Sequence, residues 1–261
     1  MESANAPREL PRTRRGVFET ILLLEGQAIF WTEHLTRFEA GCRWASLDLP
    51  SSGAQLHEQV VALAHENRVR TGVARIAHWR TNEGQTEWRI DVTPPRPHMT
   101  RSPFVVMEGP VIPPASPNRA FKHLDRGRWL DALQAARAAG FDETLLVDES
   151  RNAIESGGGN ILFIRGGELH TPSLSLGPLP GVMRAQVLAA ARRYGIGVHE
   201  DTYRLADVVR ADEVWLTNSL IGIRPLARVG DRLLADRRPV LDAFGAKWRA
   251  EFGWDPVVVL R

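Results

Sequence analysis

Cysteine and lysine are scarce in this chain. A single cysteine, Cys42, stands among 261 residues. That excludes an internal disulfide and a cysteine-based metal cluster. No apolar run approaches the roughly 20 residues that a membrane-spanning helix needs. Residues 1–15 lack the apolar stretch of a secretory signal, and Glu2 and Glu9 fit a transit peptide poorly, so the expected compartment is the cytoplasm. Neither sign of charge dominates: 33 Lys and Arg face 31 Asp and Glu, a net charge of +2. With the arginines spread along the whole chain, that is no basic footprint for nucleic acid. Only two of the cations are lysines, Lys122 and Lys247. Genomic base composition usually explains such a skew, and chance explains where a lysine survives. The sharper explanation is a position that needs an amine able to lose its proton, as Arg cannot. Hydrophobic residues make up 43% and charged residues 25%. The chain can therefore bury a core, as one large domain or two smaller ones.

The period of the apolar residues predicts a strand at Gly16–Leu24, a turn at Glu25–Gln27 and a short return strand at Ala28–Phe30. Thr32 reads as the N-cap of a helix to about Trp44, with Leu35, Phe38 and Cys42 on one face, so Cys42 reads as core. A second helix covers Gly53–Val69, and strands follow near Val73–Trp79, Trp88–Thr93 and Phe104–Met107. The Pro-rich run from Gly109 to Pro117 reads as a linker. It divides a smaller α/β lobe, 1–108, from a larger lobe, 118–261. In the larger lobe the pattern predicts a helix over Gly127–Ala139 capped by Gly140 and a strand at Thr144–Val147. A hairpin then follows at Asn160–Ile164 and Glu168–His170, a loop at Thr171–Gly181, a helix at Met183–Tyr194 and a strand at Val214–Leu216. This is α/β of the α+β type, not the regular alternation of a doubly wound sheet.

Walker, GxSxG, HExxH and Rossmann motifs are absent. The eight histidines are scattered, and His34 and His123 read as hydrogen-bonded structural residues rather than metal ligands. The segment from Lys122 to Arg184 differs. A lysine follows the linker, Glu155 lies in a turn, and Leu179-Pro180-Gly181-Val182-Met183-Arg184 leads into a helix. A helix start preceded by Gly presents backbone amides that suit a phosphate. Lysine, carboxylate and phosphate-ready helix start together point to pyridoxal phosphate, with the amine holding the aldehyde and a carboxylate at the pyridine nitrogen. Glu155 reads equally as a turn carboxylate in water, and Arg184 as a solvated charge.

Five stretches in order resemble the class IV aminotransferase family, the fold type IV pyridoxal phosphate enzymes. They are Gly16–Thr20 (GVFET), His34–Arg37 (HLTR), Phe141–Asp148 with Glu155 and Asn160–Phe163, Leu179–Arg184 (LPGVMR), and Ala211–Ser219 (ADEVWLTNS). The resemblance implies two α/β lobes with the cofactor in the cleft between them, and a homodimer acting on a small amino substrate. It implies Lys122 as the cofactor-bound amine that moves protons, and Glu155 as the partner of the pyridine nitrogen. Arg37, the amides of Val182 and Met183 and the Ser219 hydroxyl would hold the phosphate, and Leu179 would pack on the ring. Against these stand plain alternatives: Leu179 as core, Ser219 as a turn residue, Arg37 as a solvated helix charge.

Where the branched-chain aminotransferases carry a tyrosine five residues after the lysine, this chain has Gly127. Lys122-His-Leu-Asp-Arg126 is more similar to the KHLNR-like pattern of the lyase subgroup, and Gly-Val-Met-Arg to its GIMR. These favour aminodeoxychorismate lyase chemistry, 4-amino-4-deoxychorismate to 4-aminobenzoate and pyruvate. The alternatives are an aminotransferase for D-amino acids, branched-chain amino acids or another small amine, and a non-catalytic family member. Gly157, Gly158 and Gly159 replace the family's hydroxyl residues, an exchange expected to loosen the loop near the cofactor. Arg80 and Arg89 are candidates for substrate carboxylates, each with a solvent-facing strand arginine as its alternative.

Overall fold

The computed structural model describes residues 16–95, 104–112 and 120–257. They fall into two compact units, one formed by 16–95 and 121–127, the other by 104–112, 120 and 128–257.

The first unit is a four-stranded antiparallel sheet, order β2-β1-β3-β4, with two helices. Strand β1 (Gly16–Leu24) turns through Glu25 and Gly26, both at positive φ, into the two-residue β2 (Gln27–Ala28). Helix α1 (Trp31–Trp44) starts from Phe30, which is left-handed and makes no side-chain cap, so Thr32 lies inside the helix rather than capping it. Ile29 and Phe30 are spent on this entry, so the return strand is shorter than its apolar run suggests. Helix α2 (Gly53–Glu66) begins in a reciprocal capping box between Ser52 and Gln55. Strands β3 (Gly72–Arg80) and β4 (Thr86–Thr93) complete the sheet.

Alternation along β1 sends Val17, Ile21 and Leu23 into one core with Phe38 and Cys42 of α1 and Leu56 and Val60 of α2. Gly16, Phe18 and Thr20 therefore lie on the other face. The segment 121–127 runs beside the start of β1. The Phe18 amide donates to the Lys122 carbonyl at 2.9 Å, and the Leu124 amide to the Gly16 carbonyl at 2.9 Å. A side chain at residue 16 would collide with Leu124 and Trp79, which explains glycine there.

The second unit is a nine-stranded mixed sheet, order β10-β9-β8-β11-β12-β5-β6-β7, with β13 paired to β12. Its strands are β5 (Phe104–Val111), β6 (Glu143–Val147), β7 (Ala153–Ser156), β8 (Asn160–Arg165), β9 (Glu168–Pro172), β10 (Val198–Asp201), β11 (Glu213–Asn218), β12 (Gly222–Val229) and β13 (Arg232–Leu233). The helices are α3 (Gly127–Ala138), α4 (Val182–Arg193), the short α5 (Leu205–Val209) and α6 (Pro239–Phe252). Strands β6 and β11 are almost wholly buried, which is why Thr144–Val147 and Val214–Leu216 read as apolar runs rather than alternating ones; β7, equally buried, carries Glu155 and Ser156 and does not read as a strand.

The lobe boundary expected at 109–117 is corrected here. Gly109, Pro110 and Val111 continue β5, which pairs in parallel with β6 and β12 and so belongs to the second unit. The register shifts between Glu108 and Val111, and that irregularity accommodates Pro110. Residues 113–117 lie outside the described set. The Lys122 segment, placed in the larger lobe from sequence, belongs to the first unit through its bonds to β1. The loop read over Thr171–Gly181 includes the end of β9 and a single 3-10 turn at Leu174–Leu176.

Candidate active site

In the first unit, the Lys122 amine rests 4.9 Å from the centroid of the Phe18 ring. Loss of hydration and the Arg37, Arg126 and Arg75 guanidinium groups push it down to about 7, against the opposing pull of Glu19. It is thus an amine that loses its proton near neutral pH. On β1, Glu19 faces α1 and is buried. Its Oε1 accepts from Arg37 Nε at 2.7 Å and its Oε2 from Arg37 Nη2 at 2.8 Å. His34 Nδ1 lies 2.7 Å from the same Oε2, so His34 is a hydrogen-bonded structural residue as expected. Burial drives the Glu19 carboxyl upward, but Arg37 and His34 outweigh it and hold the group well below the usual carboxylate range. Arg37 is accordingly no solvated helix charge; its side chain is 11% exposed and fixed at two nitrogens.

The antiparallel register aligns Phe18 with Ala77 and Arg89, and Thr20 with Arg75 and Asp91. Arg75, Arg89 and Asp91 therefore share the sheet face of Phe18, on which the Lys122 amine lies. Arg89 Nε donates to Asp91 at 2.9 Å. Arg80 falls on the opposite face, where its guanidinium donates to the carbonyls of Ser46 (2.9 Å) and Gly84 (3.0 Å), so it is not brought to this site. Arg75 and Arg126 escaped the sequence reading. Counting alternate residues across from Phe18 would have found Arg75.

In the second unit, Glu155 is buried on β7, opposite Leu146. It is not a turn carboxylate in water. Its Oε1 accepts from the Trp129 indole at 2.8 Å and its Oε2 from the Leu179 amide at 2.9 Å. Each oxygen retains a further lone pair for a ligand. Asn160 Nδ2 donates to the Leu179 carbonyl at 2.8 Å. Glu155 and Asn160 thus pin Leu179 from both sides of its backbone. The chain then enters α4 through Gly181, where a Cβ would collide with the Asn160 side chain. No side chain caps α4, so the amides of Val182 and Met183 start the helix as donors. Ser219 sits in the turn after β11. That turn is tied to the glycine run by Asn218 Nδ2, which donates to the Gly158 carbonyl at 2.9 Å. Trp129 carried no recognisable signal, because a tryptophan at that spacing reads as helix core.

The glycine run is corrected too. Its amides at 157 and 158, with that of Thr144, surround the buried Glu143 carboxylate. A Cβ at 157 or 158 would lie 2.8 Å from a Glu143 oxygen, and one at 159 would lie 2.5 Å from the Thr217 carbonyl oxygen. The glycines hold a carboxylate where the backbone must come close; they do not loosen the loop. Burial pushes Glu143 up to about 7 despite these amides.

With this geometry in hand, the chain's relatives can be set beside it. Residues 16–229 match the family model of class IV amino-transferases, and the chain belongs to that family. It is a pyridoxal-phosphate-dependent enzyme. It is 26% identical to the aminodeoxychorismate lyase of Bacillus subtilis over 227 residues, covering 82% of this chain and 77% of that one. It is 25% identical to a D-alanine aminotransferase of Listeria monocytogenes over 243 residues, covering 85% and 80%. A Legionella pneumophila protein solved as a candidate 4-amino-4-deoxychorismate lyase superimposes with a TM-score of 0.84 at 21% identity, covering 96% of this chain and 98% of that one. That likeness gives the fold: a fold type IV mixed α/β enzyme. Among the described residues, no helix is long and apolar enough to cross a membrane.

The residues present fit the cofactor. A lysine amine that deprotonates near neutral pH, a buried carboxylate with lone pairs to spare and an uncapped helix start match an aldehyde, a pyridine nitrogen and a phosphate in turn.

Proposed function

We propose that this enzyme is an aminodeoxychorismate lyase, converting 4-amino-4-deoxychorismate into 4-aminobenzoate and pyruvate. One observation carries the choice within the family. Three guanidinium groups, of Arg37, Arg126 and Arg75, act on the Lys122 amine against the pull of Glu19. A substrate with two carboxylates suits so positive a neighbourhood better than one with a single carboxylate. Gly127 supports the same reading: it stands where the aminotransferases carry a tyrosine, although a Cβ there would meet nothing within 4 Å.

In this reading Lys122 Nζ binds the cofactor aldehyde and afterwards moves a proton at the substrate carbon. When bound, pyridoxal phosphate supplies an aromatic ring that accepts electrons from the substrate. Glu155, oriented by Trp129 and the Leu179 amide, keeps a proton on the pyridine nitrogen. Arg37, the amides of Val182 and Met183 and the Ser219 hydroxyl hold the phosphate, and Leu179 packs on the ring. Arg75 and Arg89, with Asp91 between them in register, replace the Arg80–Arg89 pair as anchors for substrate carboxylates. Elimination of pyruvate leaves an aromatic ring, which drives the reaction without a second amino acceptor. A homodimer in the cytoplasm, serving folate biosynthesis, completes the proposal.

The experiment is pyruvate release from 4-amino-4-deoxychorismate by the cofactor-loaded enzyme. Absorbance titrations with D-alanine, L-glutamate and L-leucine run beside it. Pyruvate release without spectral conversion by the amino acids is the expected result. Conversion to the pyridoxamine form by an amino acid, with no pyruvate formed from 4-amino-4-deoxychorismate, would instead establish the aminotransferase reading, which the D-alanine aminotransferase relative favours. Lys122→Ala is expected to abolish either activity, and retained activity would overturn the assignment of the amine.

A further inference from the structure

Histidines that look scattered in sequence meet at the open edge of the nine-stranded sheet. Strands β9 and β10 pair in parallel with His170 in register with His199. Glu168 precedes His170 by two residues and so shares its face. Candidate ligand atoms of Glu168, His170 and His199 lie within 4.8 Å of one another. Glu168 Oε2 is 3.0 Å from His199 Nε2, and the two imidazole centroids are 4.7 Å apart.

His170 is the unusual member. It is 5% exposed, between the Phe163 ring at 5.3 Å and the His199 ring, with Tyr203 edge-on. Its Nδ1 lies 3.0 Å from the Tyr203 hydroxyl. Its Nε2 is buried with no hydrogen-bond partner among the described residues. A buried imidazole nitrogen without a partner calls for a ligand. A hydroxyl on one ring nitrogen that leaves the other to the metal is the usual outer-shell arrangement.

We propose that Glu168, His170 and His199 bind one late first-row divalent cation, with Zn2+ as its probe. Two imidazoles and a carboxylate are the donor set such ions prefer, and water takes the fourth position. The His170 and His199 rings are stacked at 17°, so the His199 ring must turn as well as approach for both to bind one ion at the usual distances of about 2.0–2.2 Å. Glu168 and His199 are free to rearrange in this way, since their side chains are 53% and 47% exposed. The bound ion clips the edge strand β10 to β9. The facing cation, Arg165, opposes binding and sets no ligand. This site is independent of the lyase reading.

The test is calorimetric titration of the chelator-stripped full chain with Zn2+ at neutral pH, paired with thermal melts. Saturable binding of one ion per chain is expected, with a rise in melting temperature. His199→Gln and Glu168→Gln change exposed side chains and leave the fold intact; each is expected to weaken binding at least about tenfold and to cancel the rise. Tyr203→Phe removes the outer-shell hydroxyl and is expected to weaken it about tenfold. Lys122→Ala is expected to bind Zn2+ as the wild type does, which separates this site from the cofactor's. Identical isotherms for wild type, His199→Gln and Glu168→Gln would overturn the proposal and leave His199 and Glu168 as a surface ion pair. Co2+ bound without the visible bands of nitrogen ligation would overturn it equally.

Discussion

Glu19 and Glu143 are both buried carboxylates on strands, one in each unit, and they meet opposite fates. Glu19 sits against a guanidinium and an imidazole and is held well below the usual carboxylate range. Glu143 sits among backbone amides, and burial pushes it up to about 7. The difference teaches that amide dipoles orient a buried carboxylate without compensating its lost hydration, whereas a bidentate cation does both. The first unit thus concentrates fixed charge around its lysine, while the second uses backbone donors for Glu143 and leaves the α4 amides to receive a ligand.

Arg37→Ala should break the comparison most forcefully. It leaves the buried Glu19 charge against His34 without its guanidinium, and losing one member of a buried ion pair costs about 3–5 kcal/mol. Denaturant unfolding of the cofactor-free chain measures this. The same variant removes the largest charge effect that lowers the Lys122 amine, so the pH midpoint of cofactor uptake should rise above 7. An unchanged midpoint would mean that Arg37 does not act on the amine.

The next effect is read in pH. The folded value of Glu143 is raised from the ordinary 4.5 to about 7, so its protonated form favours the folded state. That contribution is fully present below about 4.5 and is lost as pH rises through 7, a span worth at most about 3 kcal/mol. Glu19 has the opposite sign, and its contribution is lost as pH falls below 4.5. Melting temperatures of wild type and Glu143→Gln, the neutral isostere of the protonated acid, should run together near pH 5 and separate toward pH 8, since the wild type alone loses this contribution. Parallel curves would show that Glu143 does not titrate there.

Smaller still, Gly158→Ala forces the Glu143 carboxylate aside, while Gly159→Ala meets the Thr217 backbone carbonyl, which yields less. Overpacking of this kind costs about 1–3 kcal/mol, with the larger loss expected at 159. Chemical denaturation ranks the two, and the reverse order would show the nest to be the stiffer structure. The smallest effect belongs to Trp129→Phe. It deletes one N–H from Glu155, a change of about 1 kcal/mol in stability. Looser cofactor binding should accompany it, and unaltered affinity would show that the Leu179 amide alone orients Glu155.

Much of this was legible in the chain itself. The apolar period located β1, β3, α1 and α4 within a residue or two, because each shows one face to a core. The stretch at 109–111 misled, because Gly and Pro read as punctuation while a bulge between β5 and β6 tolerates both. Thr32 misled as a cap, because Phe30 enters α1 through a left-handed backbone with no side-chain bond. Arg80 and Arg89 looked alike, yet they point to opposite faces of one sheet.

By itself the sequence determined the order of most elements, the family and the lysine proposed to bind the cofactor, since apolar period and short motifs are properties of neighbours in the chain. Tertiary structure alone decided the protonation of Lys122, Glu19 and Glu143, the service of Gly157 and Gly158 to Glu143, and the meeting of His170 with His199. The physical reason is that hydration and charge act through space, and the groups that set them arrive from segments far apart in the chain.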